Sequence, residues 1–126
     1  MIATLSGITN HSYIIPDSVA IIDYYSFSYC DNLTSIEIPN SVMSIWGGAF
    51  CYCKKLTSVY IPESVINIVH YAFKDCESLA SVIISANVTS IGNGVFERCG
   101  NLTVYCAEDS YAYEYCRENN IKVKAI

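Results

Sequence analysis

The chain has 126 residues, 52% hydrophobic, 13% aromatic and 15% charged, with seven Lys and Arg against twelve Asp and Glu and a formal charge of −5 at pH 7. This describes one domain of modest size, too apolar for disorder and long enough to bury a core without obligatory disulfides or a metal. No apolar run approaches the ~18 residues of a membrane helix, and residues 1–10 lack the basic start and apolar stretch of a signal peptide. With Lys54-Lys55 as its longest basic run, the acidic balance argues against nucleic acid and anionic membranes as partners. Seven cysteines are then the feature to explain.

Taken in chain order, residues 1–10 are irregular and receive no element; they either cap one end of the molecule or stand in place of further repeats. From residue 11 a fixed period takes over. Cys30, Cys53, Cys76 and Cys99 recur at a constant 23-residue interval. Phe27, Phe50, Phe73 and Phe96 precede them by three residues, and Leu33, Leu56, Leu79 and Leu102 follow by three. Ile15, Ile38, Ile61 and Ile84 keep the same register, as do Val19, Val42, Val65 and Val88, and then Ile22, Ile45, Ile68 and Ile91. A period in the range of roughly 20 to 50 residues marks a solenoid, whose units bury their apolar faces only by stacking.

One unit shows the path. Leu33 to Ile38 alternates apolar and polar residues and reads as a strand that Pro39 ends. Ser41 to Ile45 is a second extended stretch, Trp46-Gly47-Gly48 a turn, and Ala49 to Cys53 a short helical or 3₁₀ segment. Strands stacked about 4.8 Å apart would form a parallel sheet with Leu33, Ile36 and Ile38 and their equivalents facing inward. Leu102 to Cys106 begins a further unit shortened by one residue. Asp109 or Ser110 then offers an N-cap for a helix over about Tyr111 to Glu118, ended by Asn119-Asn120, with Ile121 to Val123 returning as a terminal strand.

The units resemble the BspA type of leucine-rich repeat, most closely in Leu33 to Cys53, Leu56 to Cys76 and Leu79 to Cys99. Tyr13 through Cys30 forms another unit without the leading leucine. Small departures occur where Trp46 and Val69 replace the expected glycine, Ser85 and Ala86 the proline step, and Val95 the alanine. The resemblance implies a leucine-rich repeat solenoid: a right-handed coil with a parallel β-sheet, 23-residue repeats and a C-terminal helical cap. The expected organisation is a single domain over 1–126, with an N-terminal segment 1–10, repeats 11–101 in about four and a half coils, and a cap 102–126. It further implies a cell-surface or secreted protein, of the kind gut and oral bacteria and mucosal protists use to attach to host matrix, host cells or other microbes. The competing reading is an intracellular scaffold or a structural spacer from a longer array, which free thiols would suit.

Chemistry finds little purchase. The four cysteines in register should form a buried column of small, soft side chains; stacked in parallel they seldom reach disulfide geometry, and a line of sulfurs does not converge on zinc. A Cys106 to Cys116 bond within the cap stays open in an oxidising compartment, and an odd total leaves at least one thiol free. His11 and His70 lack an evident carboxylate orienter, and His70 shares its turn position with Tyr24, Gly47 and Asn93, which suggests solvated surface. Carboxylates are scattered singly, and no phosphate-cradling glycine loop or calcium loop occurs. No enzyme activity, metal or other cofactor is expected. The sequons at Asn10, Asn32, Asn87 and Asn101 are open to glycosylation in a secreted eukaryotic protein, although two are simply the Asn-Leu-Thr that enters the repeat strand.

Function therefore falls to the surface. Outward positions of the strand form a row of Ser12, Ser35, Ser58 and Ser81, and a second row of Ile14, Glu37, Tyr60 and Ile83, extended by Tyr105 once the one-residue deletion is allowed. The second row is unusually apolar for an exposed sheet and is the candidate binding surface for a protein or glycoprotein. The plainer reading is that β-branched and aromatic residues merely suit strands. Tyrosines on turns (Tyr24, Tyr25, Tyr29, Tyr52 and Tyr71) make a second candidate surface.

Overall fold

The computed structural model describes residues 2–3 and 11–126, so the reading of residues 1–10 lies outside the described residues except at Ile2 and Ala3. Each coil contributes one strand to each of two parallel sheets. The longer strands β2 (Ser12–Ile14), β4 (Ser35–Glu37), β6 (Ser58–Ile61), β8 (Ser81–Ile84), β10 (Thr103–Cys106) and β11 (Lys122–Ala125) stack in chain order into a six-stranded sheet. Two-residue strands β1 (Ile2–Ala3), β3 (Ile21–Ile22), β5 (Ser44–Ile45), β7 (Asn67–Ile68) and β9 (Ser90–Ile91) make the second. The result is a solenoid of about five turns.

The period follows from register. Ser12, Ser35, Ser58 and Ser81 are aligned partners in successive strands, and so are Ile22, Ile45, Ile68 and Ile91 in the second sheet. Upstream, Ile2 pairs with Ile21, a step four residues shorter than that from Ile21 to its next partner, Ser44.

Between the sheets lies one continuous core. Phe27, Phe50 and Phe73 are fully buried. Their rings stack at 5.1 Å between centroids, within 7° of parallel, and Phe96 continues the column at 5.7 Å. Leu33, Leu56 and Leu79 form an adjoining buried column, beside Val19, Val42, Val65 and Val88. Each side chain is covered by its own equivalent one coil away, so identical residues at identical positions are the simplest way to fill the interior without voids.

The segment from Ala49 to Cys53 corrects the sequence reading, being a run of tight turns and not a helix. Its amides alternate in direction. Ala49, Cys51 and Cys53 donate within the coil to the carbonyls of Trp46, Gly48 and Phe50, whereas Gly48, Phe50 and Tyr52 donate to His70, Ala72 and Lys74 of the next coil at 2.7 to 3.1 Å. A helix long enough to include them would bond successive amides to carbonyls of its own coil. Keeping half of them free for the neighbouring coil twists two positions per coil into the left-handed region: Tyr25, Gly48, Tyr71 and Gly94 in one column, Tyr29, Tyr52, Asp75 and Arg98 in the other. Glycine alternates with tyrosine in the first column for a steric reason. The Tyr25 ring occupies the space a Cβ on Gly48 would need, and the Tyr71 ring does the same at Gly94.

The cap closes one end of both sheets. Ser110 is the N-cap of helix α1 (Tyr111–Glu118), its hydroxyl accepting the Tyr113 N–H at 3.2 Å. Ala112 and Cys116, four residues apart, face the stack and are fully buried. Two tyrosines of α1 reach the coil of β9: the Tyr115 hydroxyl donates to the Gly92 carbonyl at 2.8 Å, and the Tyr111 hydroxyl accepts from the Ile91 N–H at 3.4 Å. β11 runs to Ala125, two residues past the expected return strand, and lies parallel on β10.

Truncating the centre of the aromatic column tests this arrangement. Phe50→Ala should lower unfolding free energy by roughly 3 to 5 kcal/mol in a urea titration, as for other fully buried aromatic side chains. A loss under about 1 kcal/mol would mean the column is not packed.

Candidate binding face

The six-stranded sheet presents its outward rows side by side. Ile36, Val59, Val82 and Val104 point inward and are buried, which turns the residues on either side of the first three to solvent, whereas in β10 Thr103 is buried and Tyr105 half-buried. Register aligns Ile14 with Glu37, Tyr60 with Ile83, and Ile83 with Tyr105. The expected second row is therefore one line across the strands, including the Tyr105 that comes after the deletion. Ile14 is 67% exposed, Tyr60 52% and Ile83 38%, while Tyr105 is half-buried. The first half of this line borders an open depression of about 600 Å³, with Ser12, Ser35, Glu37, Ser58 and Tyr60 on its walls.

Two surface features escaped the reading of the sequence. The line does not stop at Tyr105: β11 pairs Lys124 with Tyr105 and Lys122 with Thr103, so it ends on an exposed lysine. The alternation of Lys122, Val123 and Lys124 was the available signal, but the register of a terminal strand is set by docking on β10. Just before β5 and β7 of the second sheet, Met43 and Ile66 are also exposed, at equivalent positions of successive coils. They form a smaller apolar spot that the repeat pattern could have indicated.

The cysteines are more than fillers. The Cys53 thiol donates to the Phe27 carbonyl, Cys76 to Phe50 and Cys99 to Phe73, each at 3.1 Å. Each of these Phe carbonyls also accepts the N–H of the cysteine three residues on in its own coil, at 3.3 Å. A small side chain with a terminal donor suits that position, because the second lone pair of a buried carbonyl would otherwise go unused. Hydrogen bonding to the Cys53 thiol, then burial, push the Cys76 thiol well above its ordinary range. Burial pushes Cys99 up to about 11 and Cys116 up to about 12. Cys106 and Cys116 of the cap carry free thiols and are buried. Thiols so raised are poor nucleophiles and poor ligands. Among the described residues, no group of three or more His, Cys, Asp or Glu is placed to hold a metal.

The turn tyrosines do cluster. Tyr29 stacks on Tyr52 at 4.7 Å and 3°, Tyr24 packs against Trp46 at 5.1 Å, and the Lys74 ammonium lies 5.2 Å from the Tyr71 ring centroid. Trp46, a departure from the expected glycine, is thus accommodated by a ring from the preceding coil. A larger depression, about 730 Å³, lies along the seam between the last coil and the cap, where Glu97, Arg98, Asn101, Tyr115 and Lys122 meet.

Residues 5–124 match the BspA type leucine rich repeat region in six copies. The chain belongs to that family. The match begins upstream of Tyr13, ahead of the first unit that spacing alone reveals. Similar solved structures include a leucine-rich repeat protein from Bacteroides ovatus, at 29% identity and TM-score 0.78 over 91% of this chain. Another, from Eubacterium ventriosum, aligns at 28% identity and 0.74 over 83%, and the T. pallidum leucine-rich repeat protein at 32% and 0.73 over 75%. The chain spans 30%, 28% and 45% of their respective lengths. No curated protein matches it. BspA-type repeats generally serve as protein-interaction modules on a scaffold that is typically non-enzymatic.

The raised thiols have a pH signature. A Cys99 that ionises near 11 in the fold and near 9.0 when unfolded leaves the unfolded chain with fewer protons between those values. Stability is then undiminished below about pH 9 and falls as pH rises towards 11. Urea midpoints at pH 8 and pH 10.5 should differ in that direction, and Cys99→Ser should reduce the difference.

Proposed function

We propose that this domain is a noncatalytic binding and adhesion module that grips a protein or glycoprotein on the line formed by Ile14, Glu37, Tyr60, Ile83 and Tyr105. The reading is carried by one observation: Ile14, Tyr60 and Ile83 stand exposed in register on a sheet whose other face is entirely packed. Isolated apolar side chains on a surface are ordinary, but Tyr60 and Ile83 side by side beside small serines, with Ile14 beyond Glu37, support an interaction surface. Tyrosine in its middle offers a large apolar area with a polar tip, a frequent energetic centre of interfaces. Residence at the cell surface or outside the cell is the setting we assign to it, in keeping with where BspA-type proteins are commonly found.

Tyr60→Ser combined with Ile83→Ser tests the face. Adhesion of the purified chain to immobilised matrix proteins, or to microbial and epithelial cells, should fall at least about fivefold, the equivalent of about 1 kcal/mol lost on truncating an interfacial aromatic. Unfolding free energy should stay within about 1 kcal/mol of the parent. Unchanged adhesion in a folded variant would move the site elsewhere, with the turn tyrosines next in order.

A further inference from the structure

The line across the sheet has a charge pattern that points to a particular ligand. In order it runs Ile14, Glu37, Tyr60, Ile83, Tyr105, Lys124. The neighbouring line is Ser12, Ser35, Ser58, Ser81, Thr103 and Lys122. Charge on these two lines is therefore confined to one carboxylate near one end and two ammonium groups at the other. Among the described residues the salt bridge is Arg98 with Asp75 on the turn side, so neither Glu37 nor Lys124 is paired within the fold. Glu37 stands between Ile14 and Tyr60, neither of which can neutralise it.

Four strand spacings separate Glu37 from Lys124, which at about 4.8 Å each is about 19 Å along the face. An extended peptide advances about 3.3 Å per residue and turns alternate side chains to the same side. Two of its side chains that must both face the sheet over that distance are therefore six residues apart. Between them, at even spacing, two more face the apolar middle formed by Tyr60, Ile83 and Tyr105.

We propose that the ligand of this face is an extended peptide segment lying along the stack, with a Lys or Arg over Glu37, an Asp or Glu six residues away over Lys124, and apolar side chains at the two intervening inward positions. This rests on the reading of the sheet as the binding surface. Opposite charges at the two ends set the direction and register of the peptide, and the apolar centre supplies contact area.

The probes are three capped heptapeptides with the common core Ser-Leu-Ser-Leu-Ser, flanked by Lys and Glu, by Gln and Gln, or by Glu and Glu. Titration into the ¹⁵N-labelled chain at low ionic strength should shift the amides of 35–37, 58–60, 81–83, 103–105 and 122–124. The Lys/Glu peptide should bind at least about fivefold more tightly than the Gln/Gln peptide, with the gap closing in high salt. Glu37→Lys should reverse the order, favouring the Glu/Glu peptide. Equal binding of the Lys/Glu and Gln/Gln peptides, lost in Tyr60→Ser with Ile83→Ser, would overturn the charge register and leave the binding face standing. Failure of all three peptides to shift these amides, while adhesion still depends on Tyr60 and Ile83, would overturn the peptide ligand in favour of a glycan or a folded surface. Adhesion that ignores Tyr60 and Ile83 would remove the face itself.

Discussion

Backbone amides that leave one coil and bind the next on three sides are the constraint on which everything else depends. Two sides are the parallel sheets. The third is the turn run, where Tyr25, Phe27 and Tyr29 donate to Gly47, Ala49 and Cys51, and the same three positions repeat one coil on. A coil held on three sides has no freedom to gain or lose a residue without breaking bonds to both neighbours. The 23-residue period of β3 through β9 is the consequence. The period relaxes at two places, in the short spacing before β3 and the one-residue deletion before β10.

That constraint also explains residues that look costly in isolation. A tyrosine in the left-handed region is disfavoured by about 1 to 2 kcal/mol, yet Tyr25, Tyr29, Tyr52 and Tyr71 all adopt it. The three inter-coil bonds flanking those positions offset the cost, and the rings recover area by stacking on each other or on a glycine. The cysteine positions follow the same logic. Each Phe carbonyl is already used once within its coil, and the thiol of the next coil takes its second lone pair. Redox chemistry and metal binding would both require the thiols to abandon that bond.

Side-chain periodicity revealed whatever depends on a side chain being in or out. The phenylalanine and leucine columns, the outward rows, Tyr105 and the α1 boundaries were all legible, because burial and capping leave residue types at fixed intervals. The turn run was not. Ala49 to Cys53 has the composition of a short helix, and what prevents one is a set of amide partners in the neighbouring coil that no local pattern encodes. The same holds for Lys124, whose place on the face depends on β11 docking in register on β10. Local propensity lost to tertiary hydrogen bonding in the first case, and strand register lay beyond sequence in the second.

Comparison of the coils with one another separates scaffold from recognition. Positions 27, 50, 73 and 96 are always Phe, and 12, 35, 58 and 81 always Ser, although the serines are largely at the surface. A residue that repeats unchanged at equivalent geometry is one the coil itself requires, here a small side chain beside the strand. Positions 14, 37, 60 and 83 have the same backbone geometry and read Ile, Glu, Tyr and Ile. Nothing in the stacking demands those four in that order, since any side chain tolerated in a strand would serve the scaffold equally well. Where the fold is indifferent and the residues are nonetheless large, exposed and different from one coil to the next, the choice among them is free to encode a ligand. An array of identical coils can be specific only through the rows in which its coils differ.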